Sequence, residues 1–206
     1  MPALTAQIAQ RARMTGGWRR LVVAFLLGAL MSLGFAPFHL FPVFLVGFTG
    51  ILLLLRGVDS GRSALALGWW FGWGHFIAGL YWIASAFLVE PEKFAWMVPF
   101  PLLGLPALLA VFPALAVWLA WRLSSHGAFR LVLLAAAWTL LEVLRGTLFT
   151  GFPWNLVGYG FGFLDAAMQP AAWIGVTGLS FLPVLVGGAA ALPCVSRRPR
   201  KAFAAT

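Results

Sequence analysis

An acid and a base, Glu142 and Arg145, lie three residues apart at the end of an apolar run. Side chains at i and i+3 share one face of a helix. Ionisable groups at bilayer depth are rare, and they usually face a bundle interior or a wet cavity. Two interpretations are open: an ion pair that lowers the cost of burying both groups, or a contact with a substrate or lipid headgroup. In the second, Arg145 binds a phosphate through two parallel hydrogen bonds and Glu142 orients it.

A turn-forming segment, Gly-Phe-Pro-Trp-Asn at 151–155, follows this pair at once. Non-helical backbone at membrane depth is tolerated only where protein or water satisfies its polar groups. The segment is therefore either a loop with interfacial aromatic residues or a rigid lip at a lipid-facing entrance. Asp165 and Gln169 either cap the next helix or line the same opening. The candidate substrate-binding or lipid-binding residues are Glu142, Arg145, Pro153, Trp154, Asn155 and Tyr159.

Other reactive residue types lack the context that chemistry requires. His39 and His75 are isolated among aromatic residues, whereas a metal site usually needs three or four ligands. The single cysteine, Cys194, excludes an internal disulfide and is predicted to be a small apolar residue near a helix end. Nucleophile–base patterns, Gly-rich phosphate loops and dinucleotide motifs are absent from the sequence. We therefore expect no catalytic residue, no metal and no cofactor in this chain.

Composition places the chain in the membrane. Of its 206 residues, 62% are apolar and 9% are charged, against about 45–50% and about 25% in soluble domains. The net charge of +9 comes from basic residues in short clusters between apolar runs. That pattern is typical of the positive-inside rule and suits anionic lipid headgroups, so nucleic acid is not expected as a partner.

Apolar runs predict the fold, because a span of about 20 apolar residues crosses the hydrocarbon core. We predict an all-α polytopic membrane protein with about six transmembrane helices, the first two short. The predicted spans are 21–35, 42–55, 64–89, 94–121, 131–144 and 170–194. An irregular, outward-facing segment separates the fifth span from the sixth. Four prolines predict a kink in the fourth span, and Gly68, Gly72 and Gly79 in the third let helices approach closely.

The distribution of Lys and Arg predicts the orientation. With the N-terminus inside, two basic residues fall outside, Lys93 and Arg145. The twelve inside are Arg11, Arg13, Arg19, Arg20, Arg56, Arg62, Arg122, Arg130, Arg197, Arg198, Arg200 and Lys201. The predicted organisation is a cytoplasmic basic tail at 1–20, a transmembrane helical domain at 21–194 and a cytoplasmic basic tail at 195–206.

The stretch W-T-L-L-E-V-L-R-G-T-L-F-T-G-F-P-W-N-L-V-G-Y at 138–159 resembles the membrane part of the bacterial apolipoprotein N-acyltransferases. Three further stretches look similar to that family: L-G-F-A-P-F, G-W-W-F-G-W-G-H-F-I-A-G-L-Y-W-I and I-G-V-T-G-L-S-F-L. The resemblance covers 21–192. It implies a multi-pass protein of the bacterial inner membrane.

The resemblance also implies a reaction, the transfer of an acyl chain from a phospholipid to the N-terminal diacylglyceryl-cysteine of lipoproteins. Family members form a thioester on a cysteine, assisted by a glutamate and a lysine, in a nitrilase-like domain that follows a seventh helix. This chain ends after its sixth predicted span, and Cys194 does not match the family nucleophile. We therefore expect it to be inactive alone, unless a separately encoded nitrilase-like domain completes it. Arg145, Pro153, Trp154, Asn155 and Tyr159 match the family's outer-surface motif and are expected to shape the floor beneath the active site.

Two alternatives from other classes remain. Broken helices with an intramembrane charge pair also occur in transporters, so a small six-helix transporter is one. A non-catalytic membrane scaffold is the other. The expected partners under the family interpretation are membrane phospholipid, an apolipoprotein substrate and a nitrilase-like domain.

Overall fold

The computed structural model describes residues 17–124 and 127–195, and the regular elements in these ranges are all helical. The α-helices are α1 (Gly17–Met31), α2 (Pro42–Leu55), α3 (Gly61–Leu80), α4 (Ala84–Phe87), α5 (Pro91–Phe94), α6 (Leu105–Leu109), α7 (Val111–Leu123), α8 (Gly127–Thr147), α9 (Asp165–Met168), α10 (Ala171–Leu179), α11 (Phe181–Ala189) and α12 (Leu192–Val195). Short 3₁₀ turns and one π-helical stretch, Phe100–Gly104, join some of them. The all-α prediction is confirmed for the described residues.

Six of these helices pack in a closed cyclic order. Helix α3 packs against α1 and α7, α8 packs against α7 and α11, and α2 completes the cycle by packing against α11 and α1. Aromatic side chains fill the interior: the Trp138 ring meets Phe48 and Phe71 edge to face, with ring centroids 5.1 and 6.0 Å away. This geometry suits the ring quadrupoles, and it holds α8 firmly against α2 and α3.

Three helical stretches are long and apolar enough to cross a membrane, namely Gly17–Gly34, Pro91–Leu123 and Gly127–Thr147. The bent pair α10 and α11 supplies a fourth if it is counted as one span. Helix α2 is apolar but has only 14 residues, and α3 carries many glycine and tryptophan residues that lower its hydropathy. The chain is thus a helical membrane protein, and its predicted count of six spans stays a prediction.

Helix boundaries agree with the predicted spans most closely for α2, whose observed range is the predicted one. Helix α1 begins at Gly17 rather than 21, and α8 extends beyond 131–144 at both ends. The extension places Arg130 inside the helix, and the residue is 5% exposed. Its Nε donates a hydrogen bond of 2.9 Å to the main-chain oxygen of Ser124. Residues 1–16 and 196–206 lie outside the described ranges, so the tails at 1–20 and 195–206 stay predictions.

The sixth predicted span, 170–194, is bent and not one straight helix. Helices α10 and α11 meet at an angle of 57°. Gly175 adopts a left-handed φ of 69° within α10, a conformation that glycine reaches without a steric penalty. Pro183 in the first turn of α11 has no N–H to continue a helical ladder from α10. Both residues favour a break here.

The fourth predicted span has an irregular helical backbone, and the kink predicted from its prolines stays a prediction. The chain passes from α5 through the π-helical stretch and α6 before α7 begins. Two tryptophans of α3 support this irregular backbone. Trp69 Nε1 donates a hydrogen bond of 3.0 Å to the main-chain oxygen of Ala107, and Trp73 Nε1 donates one of 3.3 Å to the main-chain oxygen of Leu103. Indole N–H groups of a neighbouring helix thus bind main-chain oxygens of this segment, which suits an irregular backbone inside a membrane.

The crossing of α1 and α3 depends on glycine in both helices. A methyl group on Gly28 would collide with the main-chain oxygen of Phe71, and one on Gly74 would collide with that of Phe25. Small residues let transmembrane helices approach this closely. The glycines predicted for close approach behave similarly, because Gly68 and Gly72 lie against α7.

We expect Gly74→Ala to destabilise the fold, because the added carbon meets backbone that cannot rotate away. Overpacking of this kind costs about 1–3 kcal/mol in the free energy of unfolding. Thermal unfolding in detergent measures it. Gly146→Ala is the matched control, since a methyl group there meets nothing within 4 Å. Equal unfolding temperatures for the two variants would contradict the prediction.

Candidate functional site

The connector between α8 and α9, residues 148–164, carries four of the six predicted site residues. Its backbone is irregular: Thr150, Gly151 and Asn155 have left-handed φ angles of 79°, 85° and 56°. Two 3₁₀ turns, Leu148–Thr150 and Val157–Phe161, flank the Gly-Phe-Pro-Trp-Asn segment. Non-glycine residues in the left-handed region are uncommon and persist where surrounding contacts impose them. The side chains that impose this shape come from α8, from α3 and from the junction of α10 and α11.

Arg145, in the last turn of α8, holds the connector from below. Its Nη1 donates to the main-chain oxygens of Phe152 at 2.9 Å and Trp154 at 2.6 Å. The Phe152 N–H returns a hydrogen bond of 2.8 Å to the Arg145 carbonyl. The guanidinium also lies 5.0 Å from the centroid of the Phe76 ring, a favourable cation–π distance. With 2% of its surface exposed, Arg145 fixes the turn rather than facing solvent.

Glu142 holds the next part of the same connector. Its Oε1 accepts hydrogen bonds of 3.0 Å from Val157 N and from the indole Nε1 of Trp138. The residue is 6% exposed. A buried backbone N–H without an acceptor costs free energy, and this carboxylate removes that cost for Val157.

Ser180 and His75 complete the support from two other parts of the bundle. The Gly158 N–H donates a hydrogen bond of 2.8 Å to Ser180 Oγ, at the junction of α10 and α11. On α3, His75 Nε2 lies 3.4 Å from the main-chain oxygen of Asn155, so a hydrogen bond forms when Nε2 carries the proton. Both side chains are buried. Four polar side chains therefore contact main-chain atoms of the connector between residues 152 and 158.

The ion pair that was one of the two interpretations of Glu142 and Arg145 is not formed within 4 Å. In the described part of the chain, the salt bridge within 4 Å is the exposed pair of Lys93 and Glu90, at α5 and its N-cap. Glu142 and Arg145 instead grip neighbouring stretches of the connector through separate hydrogen bonds. The predicted contact between Arg145 and a phosphate stays a prediction.

A cavity of about 420 Å³ opens beside the connector, at the end of the bundle where α1, α3 and α8 finish. Its wall includes Trp82 and Trp154, whose rings meet edge to face at 5.9 Å. The cavity is lined by Ser32, Phe35, Ala36, Pro37, Phe38, His39, Ala78, Gly79, Tyr81, Trp82, Trp154, Asn155, Tyr159 and Gly162. Its volume lies in the range of small-molecule sites, about 300–1,000 Å³.

The six predicted site residues divide into three sets. Trp154, Asn155 and Tyr159 line the cavity. Glu142 and Arg145 lie beneath the connector and position it. Pro153 is exposed at the turn and does not line the cavity.

Asp165 and Gln169 also stay outside the cavity lining. Asp165 occupies the first turn of α9, where a carboxylate complements the helix dipole. The N-cap position of that helix is Leu164, which makes no side-chain cap. Of the two alternatives for this pair, lining the opening is wrong, and Asp165 does not act as a side-chain cap.

Sequence reasoning missed several contributors. Ser180 carried no recognised pattern, although it lies in a small-residue segment, I-G-V-T-G-L-S, where a close backbone approach is expected. Gly79 was interpreted as a helix-packing position, yet a methyl group there would collide with the amide of Asn155. The absence of a side chain at Gly79 is what lets Asn155 enter the cavity wall.

These features define a class: a helical membrane protein whose buried polar residues shape a cavity at one end of the bundle. Within that class, residues 27–189 match the family described as the apolipoprotein N-acyltransferase N-terminal domain. The matched range is most of the chain, so the chain belongs to that family. The matched range contains Glu142 and Arg145, the connector and all the residues that line the cavity.

Individual relatives agree with this assignment. The chain is 43% identical over 198 residues to the apolipoprotein N-acyltransferase of Brucella suis biovar 1 (strain 1330), covering 92% of this chain and 37% of the relative. It is 42% identical over 186 residues to the one from Rhodopseudomonas palustris (strain ATCC BAA-98 / CGA009), covering 88% and 35%. The chain thus spans about a third of the length of these curated relatives.

Proposed function

We propose that this chain is the membrane platform of a bacterial apolipoprotein N-acyltransferase. That enzyme transfers an acyl chain from a phospholipid to the N-terminal diacylglyceryl-cysteine of a lipoprotein. The platform holds a lipid in the cavity beside the connector, beneath a nitrilase-like domain. The observation that carries the proposal is the cavity itself, lined by Trp154, Asn155 and Tyr159 on a connector that buried polar side chains hold rigid.

The orientation follows from charge. Five arginines lie at the end of the bundle opposite the cavity. They are Arg19 and Arg20 at the start of α1, Arg62 at the start of α3, Arg56 at the end of α2 and Arg122 at the end of α7. By the positive-inside rule that end is cytoplasmic and the cavity faces outward. In this proposal six spans cross the bacterial inner membrane, so both termini return to the cytoplasm. The spans are α1, α2, α3, the stretch from α5 to α7, α8 and the bent pair of α10 and α11. That arrangement presents the cavity to the outer leaflet.

The lipid-binding proposal is tested by filling the cavity. Ala78→Phe places a ring in the cavity, and we expect the purified chain to retain at least tenfold less phospholipid, measured by mass spectrometry after extraction. The matched control is Ala66→Phe, because Ala66 is also on α3 and lines a different apolar crevice of about 420 Å³ between α3 and α7. Equal phospholipid retention in the two variants would contradict the proposal.

Chemistry is tested separately. The 206-residue chain, incubated with phospholipid and a diacylglyceryl-cysteine lipopeptide, should form no acyl-enzyme and no triacylated peptide. Covalent acyl transfer requires an activated nucleophile, and the one thiol, Cys194, is buried at 8% exposure. Intact mass measurement decides the matter, with Cys194→Ser as the control. An acyl group on Cys194 would overturn this part of the proposal.

A further inference from the structure

We propose that a buried polar void beneath the connector holds one ordered water molecule, which bridges Glu142 and Arg145. This inference concerns the interior of the bundle and does not rest on the proposed function. It differs from both interpretations that the sequence left open for this pair, a direct ion pair and a headgroup contact. Two kinds of observation carry it: buried polar atoms that lack a protein partner, and a void of the size of one water.

One oxygen of the Glu142 carboxylate is buried without a protein partner. Oε1 accepts hydrogen bonds from Val157 N and Trp138 Nε1, whereas Oε2 makes none within the described ranges. Ser180 lies near the carboxylate, but its hydroxyl is directed to the main-chain oxygen of Val176 at 3.4 Å. Burying a carboxylate oxygen without a donor costs free energy. Ordered water commonly removes that cost in folded proteins.

A void lies beside this carboxylate, between α3, α7 and α8. Its ionisable lining residues are His75 from α3 and Glu142 and Arg145 from α8, and Ala116 of α7 also lines it. These four residues are all buried. The void offers about 10 Å³ to the centre of a water molecule, at the lower limit of about 10–15 Å³ for holding one water. It therefore accommodates a single water and is too small for a lipid headgroup or a hydrated ion.

The hydrogen-bonding groups around the void match those that a buried water needs, typically about three. Oε2 of Glu142 accepts one bond. The guanidinium of Arg145 carries N–H groups on Nε and Nη2 besides those on Nη1, and one of them supplies a donor. The third is His75 Nδ1, which is buried and makes no hydrogen bond with the described residues, the nearby main chain of Gly28 included. Because a water both donates and accepts, it pairs with Nδ1 in either tautomer of the ring.

The charges of the lining favour a neutral occupant. A cation bound to the Glu142 carboxylate would meet the Arg145 guanidinium, and an anion bound to the guanidinium would meet the carboxylate. Among the described residues, no group of three His, Cys, Asp or Glu side chains could hold a metal ion. Water-mediated hydrogen bonds are nearly as favourable in enthalpy as direct ones. A water bridge thus explains how the two opposite charges are both buried without a salt bridge within 4 Å.

A crystal structure of the purified chain, at a resolution that shows ordered water, tests the inference directly. We expect one density peak about 2.7–3.2 Å from Glu142 Oε2 and from a nitrogen of Arg145. A void without a peak, a carboxylate turned onto the guanidinium, or an ion identified by anomalous scattering would each overturn the inference. Phospholipid retention does not enter this measurement, so the failure of the inference and the failure of the proposed function are distinguishable.

Substitutions at Ala116 test the bridge in detergent solution. Ala116→Ser brings a hydroxyl into the void in place of the water, so we expect the unfolding temperature to stay within about 2 °C of the native value. Ala116→Val fills the void without a polar group and leaves Oε2 without a donor. We expect it to lower the unfolding temperature by about 3–8 °C.

The same two substitutions at Ala120 are the matched controls. Ala120 also lies on α7 and is 0% exposed, but it does not line the void. We expect the valine variant to fall further below the serine variant at 116 than at 120. An equal difference at the two positions would mean that packing alone decides the effect, and would overturn the inference. A rise of several degrees in Ala116→Ser would overturn it too, because the hydroxyl would then serve an oxygen that no water reaches.

Discussion

Replacing Arg145 with methionine is expected to disrupt the connector and abolish lipid retention. Methionine matches the length of the stem but donates no hydrogen bonds, so the carbonyls of Phe152 and Trp154 lose their donor. Hydrogen bonds to charged groups contribute about 1.5–3 kcal/mol each, so we expect a loss of about 3–5 kcal/mol in the free energy of unfolding. Thermal unfolding in detergent measures the loss, and hydrogen exchange localises it to 151–158.

Two comparison variants sharpen this prediction. Arg145→Lys keeps the charge, but its compact ammonium lacks the planar fork of arginine, so an intermediate loss is expected. Arg122→Met removes an arginine at the other end of the bundle and should leave stability within about 0.5 kcal/mol, as for other surface substitutions. If Arg145→Met were as stable as Arg122→Met, the positioning role would be wrong.

The same variant separates two roles for Arg145. A phosphate ligand would make Arg145→Met lose phospholipid while it still bound dioleoylglycerol. A positioning residue would make it lose both lipids equally, because the displaced connector deforms the whole cavity wall. We expect the second pattern, since the guanidinium lies under the connector and not in the cavity.

Much of this arrangement could be predicted from local sequence. Apolar content and span length predicted a helical membrane protein, and the four prolines predicted a kink in the fourth span, where the helical backbone is irregular. The i, i+3 spacing of Glu142 and Arg145 predicted buried polar residues on one face of a helix, next to an irregular turn. These features depend on neighbours within a few residues, so a single sequence carries them.

The partners of those residues could not be predicted, because they depend on the tertiary path of the backbone. Ser180 meets Gly158 across 22 residues of chain, and His75 meets Asn155 across 80. A charge pair three residues apart leaves an ion pair and a headgroup contact equally open, yet both side chains bind backbone groups of the connector that follows. Only the folded connector brings its carbonyls and N–H groups within their reach.

Replacing Glu142 is expected to separate hydrogen bonding from charge. Glu142→Leu leaves the Trp138 indole N–H and the Val157 N–H without the acceptor that serves both. A buried donor left unsatisfied costs about 1–3 kcal/mol, so we expect a loss of about 2–5 kcal/mol in the free energy of unfolding. Glu142→Gln keeps a carbonyl oxygen in the position of Oε1, and we expect it to lose less than about 1.5 kcal/mol.

A double-mutant cycle with Trp138→Phe tests the shared acceptor directly. In the Glu142→Leu background there is no acceptor for the indole N–H to lose, so removing that N–H should cost less than it does in the native chain. The expected coupling is about 0.5–3 kcal/mol, the range for residues in one hydrogen-bond network. The volume lost on changing tryptophan to phenylalanine is common to both backgrounds and cancels. Additive free energies would mean that Glu142 supports the connector without Trp138, whereas equal losses for Glu142→Gln and Glu142→Leu would mean that charge, and not the shared acceptor, holds the connector.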